Sequence, residues 1–95
     1  MIRIKDNVDL KELEKFGLKL HYVVNEDTGE TYVDRIYKLR DEDSLNYSIK
    51  FIRVEHQTKI MKRTKIFYIL SYIEDTHINI LYDLIQVGLV EKVGK

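Results

Sequence analysis

The sequence predicts a single α+β domain over residues 1–95, with two helices packed on one face of a mainly antiparallel sheet of four to six strands. Its 95 residues are enough for one hydrophobic core and too few for two domains. Apolar residues recur with the period of a helix near each end of the chain, and with the period of a strand in between. The predicted order is therefore β-α-β-β-β-β-α, which a short final strand can follow.

The first two predicted elements are a short strand and a helix. Ile2 and Ile4 alternate with basic residues, as in a strand. Asp9 as N-cap and Glu12 three residues later have the spacing of a capping box, which predicts a helix from residue 10 to about residue 16. Its apolar stripe comprises Val8, Leu10, Leu13 and Phe16. Gly17 then supplies the left-handed residue that ends a helix.

The middle of the chain predicts three strands joined by polar turns. Residues 18–24 alternate and place Leu18, Leu20, Tyr22 and Val24 on one side. The polar turn 26–30 leads to a second strand over 31–39, so the pair is predicted to form a hairpin. After a turn at 41–44, a further strand places Leu45, Tyr47, Ile49 and Phe51 on one side. The apolar phase then moves to Ile52 and Val54, which indicates either a bulge or apolar cover on both faces.

The last third of the chain predicts a central strand and the second helix. Residues 56–64 are interpreted as a turn and the start of a strand that continues to residue 72, and this strand is apolar on both faces at 66–70. Glu74, Asp75 and Thr76 have N-cap chemistry. The predicted helix stripe comprises Ile78, Leu81, Tyr82 and Ile85. Gly88 ends this helix, and residues 89–93 can add the final strand.

The composition is typical of a globular intracellular protein. Hydrophobic residues make up 44% and charged residues 34%, and 16 basic residues balance 16 acidic ones. Electrostatic function must therefore come from where the charges lie. The absence of cysteine excludes disulfides, thiolate metal sites and thiol nucleophiles. Because no signal peptide or long apolar run is present, we expect a cytoplasmic protein without a membrane partner.

A segregation of charge is the main candidate for a functional surface. Residues 50–65 contain a single acid, Glu55, and the basic residues Lys50, Arg53, Lys59, Lys62, Arg63 and Lys65. Beside Phe51, Phe67 and Tyr68, such a hairpin is suited to holding phosphates and stacking bases. The alternative, which the balanced net charge favours, is a solvated hairpin whose lysines prevent edge-to-edge strand pairing.

Tyrosines and acidic turns are the candidate contacts for a protein partner. The seven tyrosines cannot all be central in so small a core, so some of them, including Tyr32 and Tyr37, are expected at its rim or at an interface. The acidic turns at 26–30 and 41–43 are interpreted as solvated loops, with mimicry of nucleic acid as the alternative.

No catalytic, cofactor or metal site is predicted. His21, His56 and His77 are scattered and lack the spacing of metal ligands. The carboxylates of Glu74 and Asp75 beside His77 are better explained as the start of a helix than as a metal cluster. The serines lack a nucleophile-elbow setting, and glycine is too sparse for a phosphate-binding loop.

A resemblance to a known group is carried by two segments, Ile4-Lys5-Asp6-Asn7-Val8-Asp9-Leu10-Lys11-Glu12-Leu13-Glu14-Lys15-Phe16-Gly17 and Leu81-Tyr82-Asp83-Leu84-Ile85-Gln86-Val87-Gly88-Leu89-Val90-Glu91-Lys92-Val93. These segments, about a third of the chain, resemble small uncharacterised proteins from phages and prophages of low-GC Gram-positive bacteria. The resemblance implies a phage accessory protein that works inside a bacterial host, where such proteins often bind and inhibit a host factor. It transfers no active-site residue.

The sequence thus predicts a small non-enzymatic binding protein that acts on a host macromolecule. A host protein is the first expected partner, and a homo-oligomer is compatible with the same surfaces. The alternative is a nucleic-acid-binding module that uses the basic hairpin 50–65.

Overall fold

The structure, a computed structural model, describes residues 1–57 and 64–94. Three residues of the predicted basic hairpin, Lys59, Lys62 and Arg63, lie outside the described residues. All the elements given below belong to the described ranges.

Within these ranges six strands form one antiparallel sheet. The strands are β1 (Ile2–Ile4), β2 (Lys19–Val24), β3 (Thr31–Leu39), β4 (Tyr47–Gln57), β5 (Thr64–Ile73) and β6 (Val90–Lys92). Their spatial order is β2-β3-β4-β5-β1-β6, so β2 and β6 are the edge strands. The predicted α+β class with an antiparallel sheet is confirmed, and the doubly apolar segment 66–70 lies in the interior strand β5, as its pattern indicates.

The first predicted helix is present, but it is a 3-10 helix rather than an α-helix, over Leu10–Phe16. Leu10, Leu13 and Phe16 recur every third residue, and this spacing aligns them on one side of a helix with three residues per turn. Asp9 accepts a hydrogen bond from the backbone N–H of Lys11 at 3.1 Å. The predicted capping box is not formed, because the Glu12 carboxylate pairs with Lys15 instead. Gly17 ends the helix with a φ of 84°, as predicted.

The second helical segment consists of a 3-10 turn (Asp75–His77) and helix α1 (Ile78–Gln86). Its predicted apolar stripe was wrong in phase: Leu81 is buried, but Ile78, Tyr82 and Ile85 are exposed. The buried residues are Ile80, Leu81 and Leu84. The helix is apolar on two sides, so more than one stripe fits the i, i+3, i+4 spacing. Neither Glu74, the N-cap of the 3-10 turn, nor His77, the N-cap of α1, makes a side-chain capping bond, which corrects the predicted capping role of Glu74.

One hydrophobic core lies between the sheet and these helical segments. Its fully buried apolar side chains are Leu13, Ile36, Ile49, Phe51 and Leu84. The apolar residues of the opposite sheet face, Ile52, Val54, Phe67 and Ile69, do not join this core and are half-buried. We call the two sides the covered face and the uncovered face, since the described helices pack only on the first.

Candidate functional site

The uncovered face carries a cross-strand row of alternating tyrosines and lysines. The strand register places Tyr72 of β5 opposite Lys50 of β4, Lys50 opposite Tyr37 of β3, and Tyr37 opposite Lys19 of β2. Residues directly opposite one another in neighbouring strands point to the same side of a sheet. We call these four residues the tyrosine–lysine row. Tyr72 is 46% exposed.

A fifth residue, Tyr47, joins this row because of a β-bulge. Lys38 is opposite Ile49 and Leu39 is opposite Tyr47, so Ser48 is the unmatched residue. The bulge places Ile49 in the core and Tyr47 on the uncovered face. There the ring of Tyr47 lies edge-on to Tyr37, with centroids 5.4 Å apart. The Lys50 ammonium lies 4.9 Å from the centroid of the Tyr47 ring, which is a cation–π contact.

The next row on the same face carries charge that is already paired. It runs from Glu91 through Arg3, Ile69, Ile52 and Arg35 to His21. Arg3 donates a hydrogen bond to Glu91 at 2.8 Å. His21 Nδ1 lies 2.6 Å from the Asp34 carboxylate, which also lies 3.8 Å from the Arg35 guanidinium. No ion pair of Lys19 or Lys50 lies among the described residues.

An arginine–glutamate pair closes the end of the face beside Tyr72. Arg40 donates two hydrogen bonds to the Glu74 carboxylate, at 3.0 and 2.9 Å. The hydrogen bonds from Arg40, with smaller contributions from Thr76 and Tyr72, lower the pKa of Glu74 from its ordinary value of 4.5 to about 2. In return, the pKa of Arg40 is raised, first by its hydrogen bonds to Glu74. The pair joins the turn after β3 to the turn after β5.

A shallow, open depression of about 520 Å³ lies on this end of the uncovered face. It is lined by Arg40, Asn46, Tyr47, Lys50, Ser71 and Tyr72. Two aromatic rings thus flank an ammonium group that has no ion pair in the described ranges, and an amide and a hydroxyl lie beside them. The arrangement can accept a planar group against a ring and an anion at the lysine.

The structure divides the candidates predicted from sequence. Lys50 and Tyr37 lie on the uncovered face, and strand alternation places Lys65 there as well. Arg53 lies on the other side of β4, where its guanidinium contacts the Tyr32 ring at 4.5 Å and pairs with Glu55. The basic segment is therefore not a single surface.

The three aromatic residues beside the basic segment also separate. Phe51 is fully buried in the core. Tyr68 donates a hydrogen bond to the Val33 carbonyl at 2.8 Å, and burial raises the pKa of its phenol. Phe67 lies on the uncovered face, with the Arg3 guanidinium 4.7 Å from its ring centroid. Phe67 is thus the one of the three that remains available on that face.

Sequence reasoning missed Lys19, Tyr47 and Tyr72 as parts of a common site. Their proximity depends on strand register and on the bulges at Ser48 and Ser71, which leave no periodic signal in the chain. The one sequence feature that indicates this site is a tyrosine or lysine in each of four predicted strands.

A buried serine–histidine contact has a structural role. Ser48 is fully buried, and its hydroxyl donates a hydrogen bond to the Lys38 carbonyl at 3.1 Å. His77 Nδ1 lies 2.6 Å from the same hydroxyl oxygen. The contact holds the bulge against the 3-10 turn before α1, and the hydroxyl is out of reach of solvent.

Among residues 1–57 and 64–94, no group of three histidine or carboxylate side chains has the geometry of a metal site. No helix in the same ranges is long and apolar enough to cross a membrane. Comparison with protein-family models, with curated proteins and with solved structures found no match.

Proposed function

We propose that the protein is a non-enzymatic binding protein that holds another macromolecule against the uncovered face of its sheet. The carrying observation is the tyrosine–lysine row, which presents the exposed ring of Tyr72, the half-buried ring of Tyr37 and two ammonium groups without ion pairs among the described residues, on a face that the described helices leave open. Tyrosine is among the side chains enriched at recognition surfaces, and lysines on an open face attract an anionic partner. A structural role alone would not require this concentration on one face.

The biological setting proposed is that of a phage-type accessory protein in the cytoplasm of a bacterial host. The support comes from the resemblance of residues 4–17 and 81–93 to phage and prophage proteins, and from the absence of cysteine, which suits a reducing compartment. In this proposal the protein acts on a host macromolecule by occupying it.

Two matched double variants test the role of the uncovered face. Lys50→Glu with Tyr72→Ala changes that face, and Lys11→Glu with Tyr82→Ala changes the helix side at two exposed positions. Tagged proteins are incubated with lysate of a low-GC Gram-positive bacterium, with and without nuclease, and the retained material is quantified by mass spectrometry and by nucleic-acid staining. We expect the first variant to lose the material that the wild type retains and the second to keep it. Equal retention by both variants would contradict the proposal.

A further inference from the structure

We infer that the macromolecule bound by the uncovered face is a single-stranded nucleic acid. This inference rests on the proposed binding role of that face and adds the class of partner. The contact predicted from sequence was the basic hairpin 50–65; the contact inferred here is the tyrosine–lysine row, which has only Lys50 in common with that hairpin.

The row alternates the two kinds of side chain that contact bases and phosphates. Neighbouring strands lie about 4.8 Å apart, so a ligand that crosses the sheet meets a ring and an ammonium in turn, and like groups recur about every 10 Å. The order across four strands is Tyr72, Lys50, Tyr37 and Lys19. Bases stack on aromatic rings whatever their identity, and phosphates pair with lysines, so this order supplies both contacts along one line.

The electrostatics of the face favour an anionic ligand. By register and alternation, five basic residues point to it from the strands: Arg3, Lys19, Arg35, Lys50 and Lys65. Three carboxylates on this face or at its edge are already engaged: Glu91 by Arg3, Asp34 by His21 and Arg35, and Glu74 by Arg40. A ligand that displaced none of these pairs would therefore meet the ammonium groups of Lys19 and Lys50. The neutral total charge of the chain does not oppose this, because recognition depends on the local field.

The geometry favours single strands over duplexes. The rings of the row belong to a sheet surface, and stacking on them requires bases that are not paired within a helix. The depression between Tyr47 and Tyr72 also presents the Asn46 amide and the Ser71 hydroxyl, which can meet the polar edge of an unpaired base. A duplex would offer phosphates to the lysines but no base faces to the rings. Lysine is depleted at protein–protein interfaces, so a row with a lysine on every second strand suits a nucleic acid better than a folded protein.

Fluorescence anisotropy with labelled oligonucleotides of mixed sequence provides the test. The probes are a single-stranded DNA, the matching single-stranded RNA and the DNA duplex, each about twelve nucleotides long, which is within the range that one small domain binds. At about 0.15 M salt we expect a dissociation constant below about 1 μM for a single strand, tighter than ordinary non-specific binding, and weaker binding of the duplex. Binding of all three probes with equal affinity, or binding weaker than this, would overturn the inference.

A substitution of Tyr72 and a double variant of the lysines separate the contribution of stacking from that of charge. Tyr72→Ala should weaken single-strand binding by about five- to 150-fold, the range for loss of one stacked base, whereas Tyr72→Phe retains the ring and should bind like the wild type. Lys19→Gln with Lys50→Gln should reduce the slope of log affinity against log salt by about 1.4, since each phosphate contact on a single strand contributes about 0.7. The control Tyr82→Ala, on the helix side, should change neither quantity. Unchanged binding by Tyr72→Ala would overturn the inference.

Failure of nucleic-acid binding can be distinguished from failure of the proposed binding function of the uncovered face. If no oligonucleotide binds but the lysate experiment retains a nuclease-resistant protein that Lys50→Glu with Tyr72→Ala releases, the partner is a protein and only the present inference is overturned. If both experiments show no dependence on the uncovered face, both proposals fail. Circular dichroism spectra and denaturant melts of each variant check that the fold is retained.

Discussion

The two faces of the sheet differ in what their side chains contact. On the covered face, β4 contributes Ile49 and Phe51 to a core in which neither is exposed to solvent. On the uncovered face, the same strand presents Tyr47 and Lys50, which contact each other beside an open depression. One strand therefore serves stability with one set of residues and presents contact groups with the other. Substitutions on the covered face should therefore lower stability, and substitutions on the uncovered face should lower binding.

In the described strands, three β-bulges separate apolar from polar and aromatic residues more completely than simple alternation would. The unmatched residues are Asp34 in β3, Ser48 in β4 and Ser71 in β5. Asp34 keeps Val33 and Ile36 on the covered face although they are three residues apart. Ser48 separates Tyr47 from Ile49 in the same way. Each bulge thus moves an aromatic or charged residue to the uncovered face without moving an apolar one out of the core.

The largest expected effect is the loss of a buried ring on the covered face. Phe51→Ala should lower the free energy of unfolding by about 3–5 kcal/mol and Leu13→Ala by about 2–5 kcal/mol, since both leave a cavity in a closed core. Phe67→Ala, which removes the same ring from the half-buried uncovered face, should cost clearly less. Urea denaturation monitored by circular dichroism measures all three. If Phe67→Ala lowered the free energy of unfolding as much as Phe51→Ala does, the two faces would contribute equally to stability.

Much of the covered face was predictable from the sequence, because burial leaves a periodic signal. The bounds of the first helix and of β3 were predicted at the residues where the structure has them. The phase of α1 was not, since the exposed Ile78 and Ile85 are as apolar as the residues that are buried. The uncovered face was only partly predictable: Lys50 and Tyr37 were identified, but their meeting with Tyr47, Tyr72 and Lys19 depends on bulges and register that local patterns do not encode.

The next effect concerns the two glycines that end the helical segments of the covered face. Gly17 and Gly88 have φ values of 84° and 78°, which confirms the prediction of left-handed residues at these positions. A Cβ at either position would make only ordinary contacts, 3.5 Å from Lys38 Nζ and 3.6 Å from Lys5 Nζ, so the cost is one of backbone strain. We expect about 1–2 kcal/mol for each Gly→Ala variant, measured by thermal or urea denaturation. Gly→Asn should cost less, because asparagine tolerates the left-handed region. Equal losses of unfolding free energy for the alanine and asparagine variants would contradict backbone strain as the cause.

A smaller effect, which depends on pH, is expected from Glu74 at the edge of the uncovered face. Because its pKa is lowered to about 2 in the folded protein, its contribution to stability is present above its unfolded value near 4.5 and is lost as the pH falls toward 2. The difference in free energy of unfolding between wild type and Glu74→Gln should therefore shrink between pH 5 and about 2. Glu14→Gln, at an exposed position, is the control. A difference that does not change with pH would show that the Arg40–Glu74 hydrogen bonds do not stabilise the fold.

The smallest expected effect on stability comes from the lysines of the tyrosine–lysine row. Lys19 is exposed, and Lys50 makes a cation–π contact of a kind that contributes about 0.5–1 kcal/mol at solvated sites, so Lys19→Gln with Lys50→Gln should cost less than about 1 kcal/mol of unfolding free energy. The matched change on the helix side, Lys11→Gln, should cost about as little. If the row serves binding, the double variant keeps wild-type stability in urea while its salt-dependent affinity for a single strand falls. A loss of several kcal/mol would instead mean that the lysines hold the sheet together through their contacts with the tyrosines, and the uncovered face would then be a structural surface like the covered one.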